Sequence, residues 1–176
     1  MRVQNLPKLH ISPLIIAAIL ITGLLPSSVR AFPARVVWVT DGDTITVLKQ
    51  NWSLDTIRIY GLDCPEKDQP DGFMAHMYTL FHLIARKVEV GPVERDRYGR
   101  LVARIAKKQQ SFNAELIRAG HAWVYDRYCQ AEVCDRYREL ERKAKKENRG
   151  LWANKEPIPP WRWRRGQRPD SNWRFW

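Results

Sequence analysis

The chain has 176 residues, enough for one compact domain with appendages but too few for two full hydrophobic cores. Apolar residues make up 44% of it and charged residues 28%, proportions that exclude a wholly disordered protein. Thirty Lys and Arg against nineteen Asp and Glu leave a formal net charge of +11, which favours polyanionic partners: nucleic acid, acidic polysaccharide or anionic lipid.

Residues 1–31 have the pattern of an export signal. Arg2 and Lys8 give a positive start, residues 11–25 form an uncharged apolar run, and Ala31 ends a short stretch suited to cleavage. Because a membrane span needs about 20 residues, removal is favoured over retention as an anchor. We therefore expect a periplasmic or secreted protein, in contact with a membrane only if the signal stays attached. The three basic residues of this segment would leave with it, lowering the formal net charge from +11 to +8.

The next segments predict a small barrel. Residues 34–40, 44–49 and 55–62 are rich in β-branched residues and are separated by turn formers, so they read as three strands. A helix is predicted over residues 71–86, with Phe73, Met77, Leu80, Phe81 and Ile84 on one face. Two strands follow at 87–94 and 99–107.

A short helix then begins at its cap Ser111 and ends at Gly120, and a short strand covers residues 122–125. A charged helix is predicted from Asp135 to Asn148. The order is typical of a mainly β fold with helices (α+β), a closed five-stranded barrel of the OB-fold kind with about three helices. The predicted domain spans residues 34–153.

The tail over residues 154–176 is rich in Pro, Arg and Trp and has no amphipathic period, so we expect it to be largely extended. Three interpretations are open. The favoured one is an arm that wraps over the barrel with Trp161 docked on apolar surface. The others are an extension of a nucleic-acid groove, since bases stack on indoles, and a contact with a bilayer interface.

The cysteines give one pair and one single residue. Cys129 and Cys134 are close enough in sequence to form a disulfide in an oxidising compartment, the alternative being two unrelated thiols. Cys64 lies beside the densest acidic cluster, where a metal-site, a catalytic and a plain apolar role are all considered.

Four acidic residues surround the second and third strands, and barrel closure would bring them together: Asp41, Asp43, Asp63 and Glu66. Clustered carboxylates suit a hard cation such as Ca²⁺, although Asp41-Gly42-Asp43 alone is more typical of a plain hairpin turn. Arg58 and Arg100 add guanidinium groups nearby. A cation on the carboxylates and a phosphate diester on the arginines would satisfy both charges; ordinary salt bridges are the alternative.

Four blocks carry a family resemblance: VVWVTDGDTITV, TIRIYGLDCPE, ERDRYGRLVARI and FNAELIRAGHAWVY, with RGLW closing the match. In order and spacing they resemble the staphylococcal nuclease family over residues 34–152. The resemblance implies an OB-fold barrel and Ca²⁺-dependent hydrolysis of DNA and RNA that leaves 3′-phosphate ends. It implies no obligate protein partner, and we expect a monomer.

Carried over to this chain, the resemblance assigns the following roles. Asp43, Asp63 and the backbone carbonyl of Cys64 would hold Ca²⁺, Glu66 would be the general base, and Arg58 and Arg100 would bind the phosphate. Asp41 would support the turn, Thr44 would hydrogen-bond near the metal, and Tyr98 would lie beside the phosphate. Tyr125 and Tyr128 are both candidates for the tyrosines that approach substrate.

Two departures from the family pattern stand out: a shorter, less basic segment after Glu66, and Cys64 where the type enzyme has threonine. The competing function is a non-catalytic OB-fold protein that binds nucleic acid or another polyanion.

Overall fold

The computed structural model describes residues 30–168. The predicted signal lies outside this range except for Arg30 and Ala31, and so do Trp173 and Trp176 of the tail. In residues 30–168 no helix combines the length and apolar character needed to cross a bilayer.

Five strands close a barrel, as predicted. They run in the order β3-β2-β1-β5-β6, and a parallel pairing of β3 with β6 closes the cylinder. Two further strands, β4 and β8, pair antiparallel beside it, and β7 extends the edge of β6. The strands are β1 (Phe32–Val39), β2 (Thr44–Lys49), β3 (Leu54–Ile59), β4 (Leu62–Asp63), β5 (Lys87–Arg95), β6 (Leu101–Lys107), β7 (Gln110–Ser111) and β8 (Trp123–Val124).

The helices follow the predicted order between and after these strands. They are α1 (Gly72–Leu83), α2 (Phe112–Arg118), α3 (Val133–Lys146) and a single turn, α4 (Pro160–Trp163). Two 3-10 turns lie at Asp126–Tyr128 and Gly150–Ala153. Helix α2 begins where predicted, because the Ser111 hydroxyl accepts a hydrogen bond from the Ala114 amide at 3.2 Å.

The barrel interior is filled by the inward members of each strand, since side chains alternate between the two faces. Fully buried examples are Val36, Ile45, Val47, Ile57, Ile59, Val90 and Ile105. Asn113 at the start of α2 is buried among them and fully hydrogen-bonded: it accepts from the Ile105 amide and donates to the Tyr60 carbonyl, both at 2.9 Å. It therefore ties β6 to the chain just before β4.

Helix α1 packs with a different face from the one its large apolar residues mark. Ala75, Thr79 and Leu83 are buried against the barrel, whereas Phe73 and Phe81 are 67% and 70% exposed. The helix is present where predicted, but Phe73 and Phe81 of its apolar face lie on the outside. The small side chains of Ala75 and Thr79 pack against the barrel together with Leu83.

Residues 154–168, which we call the strap, pack back onto the domain. Asn154 donates to Asp71 at 2.6 Å, and Gln69 donates to the Ile158 carbonyl at 2.5 Å. The docked indole is mainly that of Trp163, which is buried, while Trp161 is half-buried. The wrapping arm is thus present, with one helical turn where an extended chain was expected.

Candidate active site

The β1–β2 turn presents Asp43. The Asp43 amide donates to Oδ1 of Asp41 at 3.0 Å, and the Thr40 amide donates to the Thr44 carbonyl at 2.8 Å, so the turn is closed by its own residues. Gly42 has to be glycine for space: a Cβ there would lie 2.7 Å from Cβ of Cys64. This close approach sets Asp43 against the chain that follows β4.

Asp63 ends β4 and is joined to Asp43 through the next residue. The Cys64 amide donates to Oδ2 of Asp43 at 2.7 Å, and the Thr44 hydroxyl donates to its Oδ1 at 3.2 Å. Asp43 is 6% exposed and Asp63 2% exposed. Two carboxylates this deeply buried need positive charge near them to stay ionised.

Arg58 supplies part of that charge. It lies in β3 directly opposite Thr44 of β2, and its guanidinium lies between the two aspartates. Nη2 donates to Oδ1 of Asp63 at 2.6 Å, and Nη1 contacts Oδ1 of Asp43. The two aspartates predicted to bind Ca²⁺ therefore both contact the guanidinium of Arg58.

Glu66 is joined to the same cluster by a residue that the sequence did not predict there. Arg164 of the strap donates through Nη1 to Oε1 of Glu66 at 2.5 Å and through Nη2 to Oδ2 of Asp63 at 2.7 Å. Burial acts to lower the pKa of Arg164, but the ion pairs with Asp63 and Glu66 outweigh it and raise the pKa above its usual range. The guanidinium is fully charged.

Arg100 stands apart from these carboxylates and is held by Asp96. The Arg100 side chain donates through Nε to Oδ2 of Asp96 at 2.7 Å, and its amide donates to Oδ1 at 2.9 Å. Burial acts to raise the pKa of Asp96, but the bonds from Arg100 and from the Tyr98 amide lower it overall. The Arg100 guanidinium lies 5.5 Å from the ring centre of Tyr98, an exposed side chain, so these two candidates are neighbours.

Tyr125 and Tyr128 form an aromatic wall with the strap. The ring centres of Tyr125 and Tyr128 are 4.9 Å apart in an edge-to-face contact. Tyr125 also stacks in parallel on Trp161, with ring centres 5.0 Å apart. The Tyr125 amide donates to the Gly61 carbonyl at 3.0 Å, two residues before Asp63. Of the two candidate tyrosines, Tyr125 is therefore the one whose backbone is hydrogen-bonded to the segment that leads to Asp63.

The cysteines separate into two kinds. Cys129 and Cys134 form a disulfide, with Cα atoms 5.6 Å apart. Cys64 is buried, and burial raises the pKa of its thiol well above the usual value. A neutral, inaccessible thiol suits an apolar packing role rather than a nucleophile.

The donor set fits a hard cation in its chemistry. Carboxylate oxygens of Asp43 and Asp63 lie close enough together to share one guanidinium, so one dication can replace it between them. Within residues 30–168 no three Asp, Glu, His or Cys side chains form a complete metal-binding group. A cation here would therefore be held by these two carboxylates together with backbone and solvent oxygens.

The sequence offered no signal for Arg164 at this site. It is 98 residues from Glu66, and its place depends on the course of the strap. The alternation of Trp and Arg in the tail marked the segment as unusual without marking which arginine would return to the barrel.

Comparison with known proteins relates the chain to nucleases. Residues 56–154 match the family described as staphylococcal nuclease homologue. The chain is 37% identical over 131 residues to a protein named uncharacterized endonuclease from Escherichia coli O157:H7, covering 74% of this chain and 83% of that protein. A protein of the same name from Haemophilus influenzae is 34% identical over 135 residues, covering 76% and 74%. Micrococcal nuclease from Shigella flexneri is 31% identical over 150 residues, covering 80% and 85%.

Proposed function

This chain belongs to the staphylococcal nuclease homologue family, and from that premise we propose that it is an exported, calcium-dependent endonuclease. Its substrate is DNA, RNA or both, and its products carry 3′-phosphate ends. The nuclease assignment rests on the family. Export rests on the pattern of residues 1–31, and the metal and the products rest on the family resemblance.

One observation carries the proposal: the Arg58 guanidinium lies between the buried carboxylates of Asp43 and Asp63, with Glu66 three residues further on. Buried carboxylates and guanidiniums that only balance each other contribute little net stability compared with apolar side chains of the same size. An arrangement of this kind is explained by ligands of both signs, a cation for the carboxylates and a phosphate for the arginine.

Each residue of the site then has a distinct role in the proposed reaction. Glu66 takes the proton of the attacking water, and its partly exposed side chain leaves room for that water. Arg58 and Arg100 bind the phosphate and stabilise the charge that accumulates on its oxygens. When bound, Ca²⁺ supplies Lewis-acid chemistry, polarising a phosphate oxygen and lowering the pKa of a water. Asp43 and Asp63 hold it.

The aromatic residues position the polymer around the phosphate. Tyr98 lies beside Arg100, and the exposed ring of Tyr128, which contacts Tyr125, offers a surface on which a base can stack. Without residues 1–31 the formal net charge is +8, which attracts nucleic acid to the protein.

The direct test is cleavage of plasmid DNA and of RNA by the purified protein, with Ca²⁺ and with a chelator. We expect cleavage that needs Ca²⁺, and Glu66→Gln should lower kcat by about 10²–10⁴-fold, the range for loss of a general base, while binding is retained. The matched control is Glu139→Gln, an exposed glutamate on α3, which should behave as wild type.

Each other outcome has a definite meaning. Binding with a steep salt dependence and no cleavage would identify the rival function, a non-catalytic polyanion-binding barrel. Full activity of Glu66→Gln would remove Glu66 from the mechanism. Cleavage in excess chelator would refute the metal dependence, and 5′-phosphate products would refute the proposed end chemistry.

A further inference from the structure

Arg164 is the second guanidinium group at the acidic cluster, after Arg58. Its Nη2 lies 2.7 Å from Oδ2 of Asp63, and its Nη1 lies 2.5 Å from Glu66 and 3.4 Å from Oδ1 of Asp63. The last oxygen is also the one that Arg58 binds at 2.6 Å. Arg58 and Arg164 therefore flank a single carboxylate, one from the barrel and one from the strap.

The strap is built to hold this arginine in place. The Trp163 indole next to it is buried, and its Nε1 donates to Asp68 at 3.1 Å. On the other side of the helical turn, Trp161 stacks on Tyr125. Pro160 opens the turn, where its fixed φ and missing amide hydrogen are tolerated. Arg164 thus reaches the site from an anchored segment, and its side chain is still 43% exposed.

Charge balance indicates what this guanidinium does during the reaction. A cation on Asp63 takes the carboxylate that Arg164 binds most extensively. The guanidinium of Arg164 is then paired only with Glu66. The proposed mechanism requires a Glu66 carboxylate that is free to accept a proton. A phosphate group bound to Arg58 is the nearest anion that can replace both Asp63 and Glu66 as partners of Arg164. Arg58 and Arg164 are neighbours, because both bind Oδ1 of Asp63. A planar, bidentate donor matches a phosphate well.

We propose that Arg164 is a substrate-binding residue supplied by the strap, which holds Asp63 and Glu66 until a cation binds and then binds the phosphate backbone of the nucleic acid. The inference rests on the proposed nuclease function and adds a residue to its substrate site. It makes two measurable statements: Arg164 competes with the cation, and it contributes to the binding of nucleic acid.

The test compares Arg164→Ala with Arg165→Ala in the full-length mature protein. Arg165 is exposed on the same strap, and within residues 30–168 its side chain has no acidic partner, so this control removes the same charge without touching the site. Ca²⁺ affinity is measured by calorimetry in the absence of DNA. KM and kcat are measured on single-stranded DNA at saturating Ca²⁺ and fixed ionic strength.

For Arg164→Ala we expect Ca²⁺ to bind about threefold to tenfold more tightly and KM for DNA to rise about tenfold, as for loss of one charge-assisted contact. Arg165→Ala should remain within about twofold of wild type in both. Arg164→Lys keeps the charge but loses the fork of donors, so its KM should fall between those of wild type and Arg164→Ala. Thermal unfolding of all variants checks that the fold is intact.

An unchanged Ca²⁺ affinity, or a KM equal to that of Arg165→Ala, overturns the inference and leaves the proposed function standing. A wild-type protein that neither binds Ca²⁺ nor cleaves nucleic acid overturns the proposed function and this inference with it. Tighter Ca²⁺ binding without a rise in KM reduces Arg164 to a counter-ion and also overturns the substrate role.

Discussion

Asp96 determines where the Arg100 guanidinium points. It accepts hydrogen bonds from the Arg100 side chain and from the backbone amides of Tyr98 and Arg100, so one carboxylate both closes the turn and holds the arginine. The turn itself needs Gly99, whose φ is +80°. Orientation of Arg100 is thus a property of the turn rather than of the barrel core.

We expect Asp96→Asn to lower kcat/KM by about tenfold, the effect of about 1.4 kcal/mol, since the neutral amide binds the guanidinium less firmly. Steady-state kinetics on DNA measure the effect. The matched control is Asp135→Asn, which breaks an exposed ion pair with Arg138 on α3 and should leave kcat/KM unchanged. An unaltered or higher value for Asp96→Asn would show that Arg100 does not need this support.

Residues of the candidate site were predictable where local sequence decides their position. Asp43 lies in a tight turn and Asp63 directly follows a buried strand, so barrel closure was enough to predict that they meet, and the structure brings them together around Arg58. The Asp96–Arg100 pair belongs to one turn but was not predicted, because ion pairing depends on rotamers. The position of Arg164 could not be predicted for a different reason: the path of a Pro-rich segment has no periodic signal in the sequence.

The β1–β2 turn is the element on which the proposed cation site depends most directly. A side chain at position 42 would meet Cβ of Cys64 at 2.7 Å, its Sγ at 2.8 Å and Cβ of Ala75 at 3.0 Å, all of them in the packed interior. None of these atoms belongs to a flexible side-chain end. The turn therefore has to move away if anything larger than glycine is placed there.

Gly42→Ala is expected to destabilise the fold by about 1–3 kcal/mol, the usual effect of overpacking. It should also weaken Ca²⁺ binding, since Asp43 moves with the turn. Urea unfolding and calorimetry measure the two effects. Gly91→Ala in β5 is the control, because a Cβ there meets only ordinary contacts at 3.7 Å and beyond. Equal Ca²⁺ affinity in the two variants would contradict the proposed role of the turn.

Strands and helices differed in how well the sequence predicted their packing. In β2 and β3 the apolar members of the alternation, Ile45, Val47, Ile57 and Ile59, are the buried ones, because only one face of a barrel strand is buried. In α1 the same logic failed. A helix that packs closely against a sheet can bury small residues and leave large ones exposed. This happens where close packing forms more contacts than burial of the large side chains would form.

At the scale of the whole molecule, two histidines belong to a cluster of rings around Tyr78. Tyr78 stacks on His82 with ring centres 4.0 Å apart, and His121 lies 4.5 Å away on the same tyrosine. Glu115 lies 3.3 Å from Nε2 of His82 and accepts from the Tyr78 hydroxyl. Burial lowers the pKa of His121, and the neighbouring His82 lowers it further.

Acid should therefore reduce stability through His121. Its pKa is lower in the folded than in the unfolded state, so the unfolded state binds more protons as pH falls through the unfolded value of about 6.5. We expect the free energy of unfolding to fall less steeply between about pH 7.5 and 5 in His121→Phe than in wild type. Urea unfolding across this range measures both slopes, and identical slopes would show that His121 has no part in the acid response.

The ion pairs of Arg58 and Arg164 have a kinetic consequence for the molecule as a whole. Bare carboxylates at a DNA-facing surface would repel the polymer, and encounter would have to wait until an ion had been loaded. Here the acidic groups are paired with guanidiniums, so we expect the basic protein to bind a polyanion whether or not calcium is present. On the proposed mechanism the basic surface can therefore capture the polymer before the ion is taken up, whereas Arg164 binds phosphate only after the ion has displaced it from Asp63.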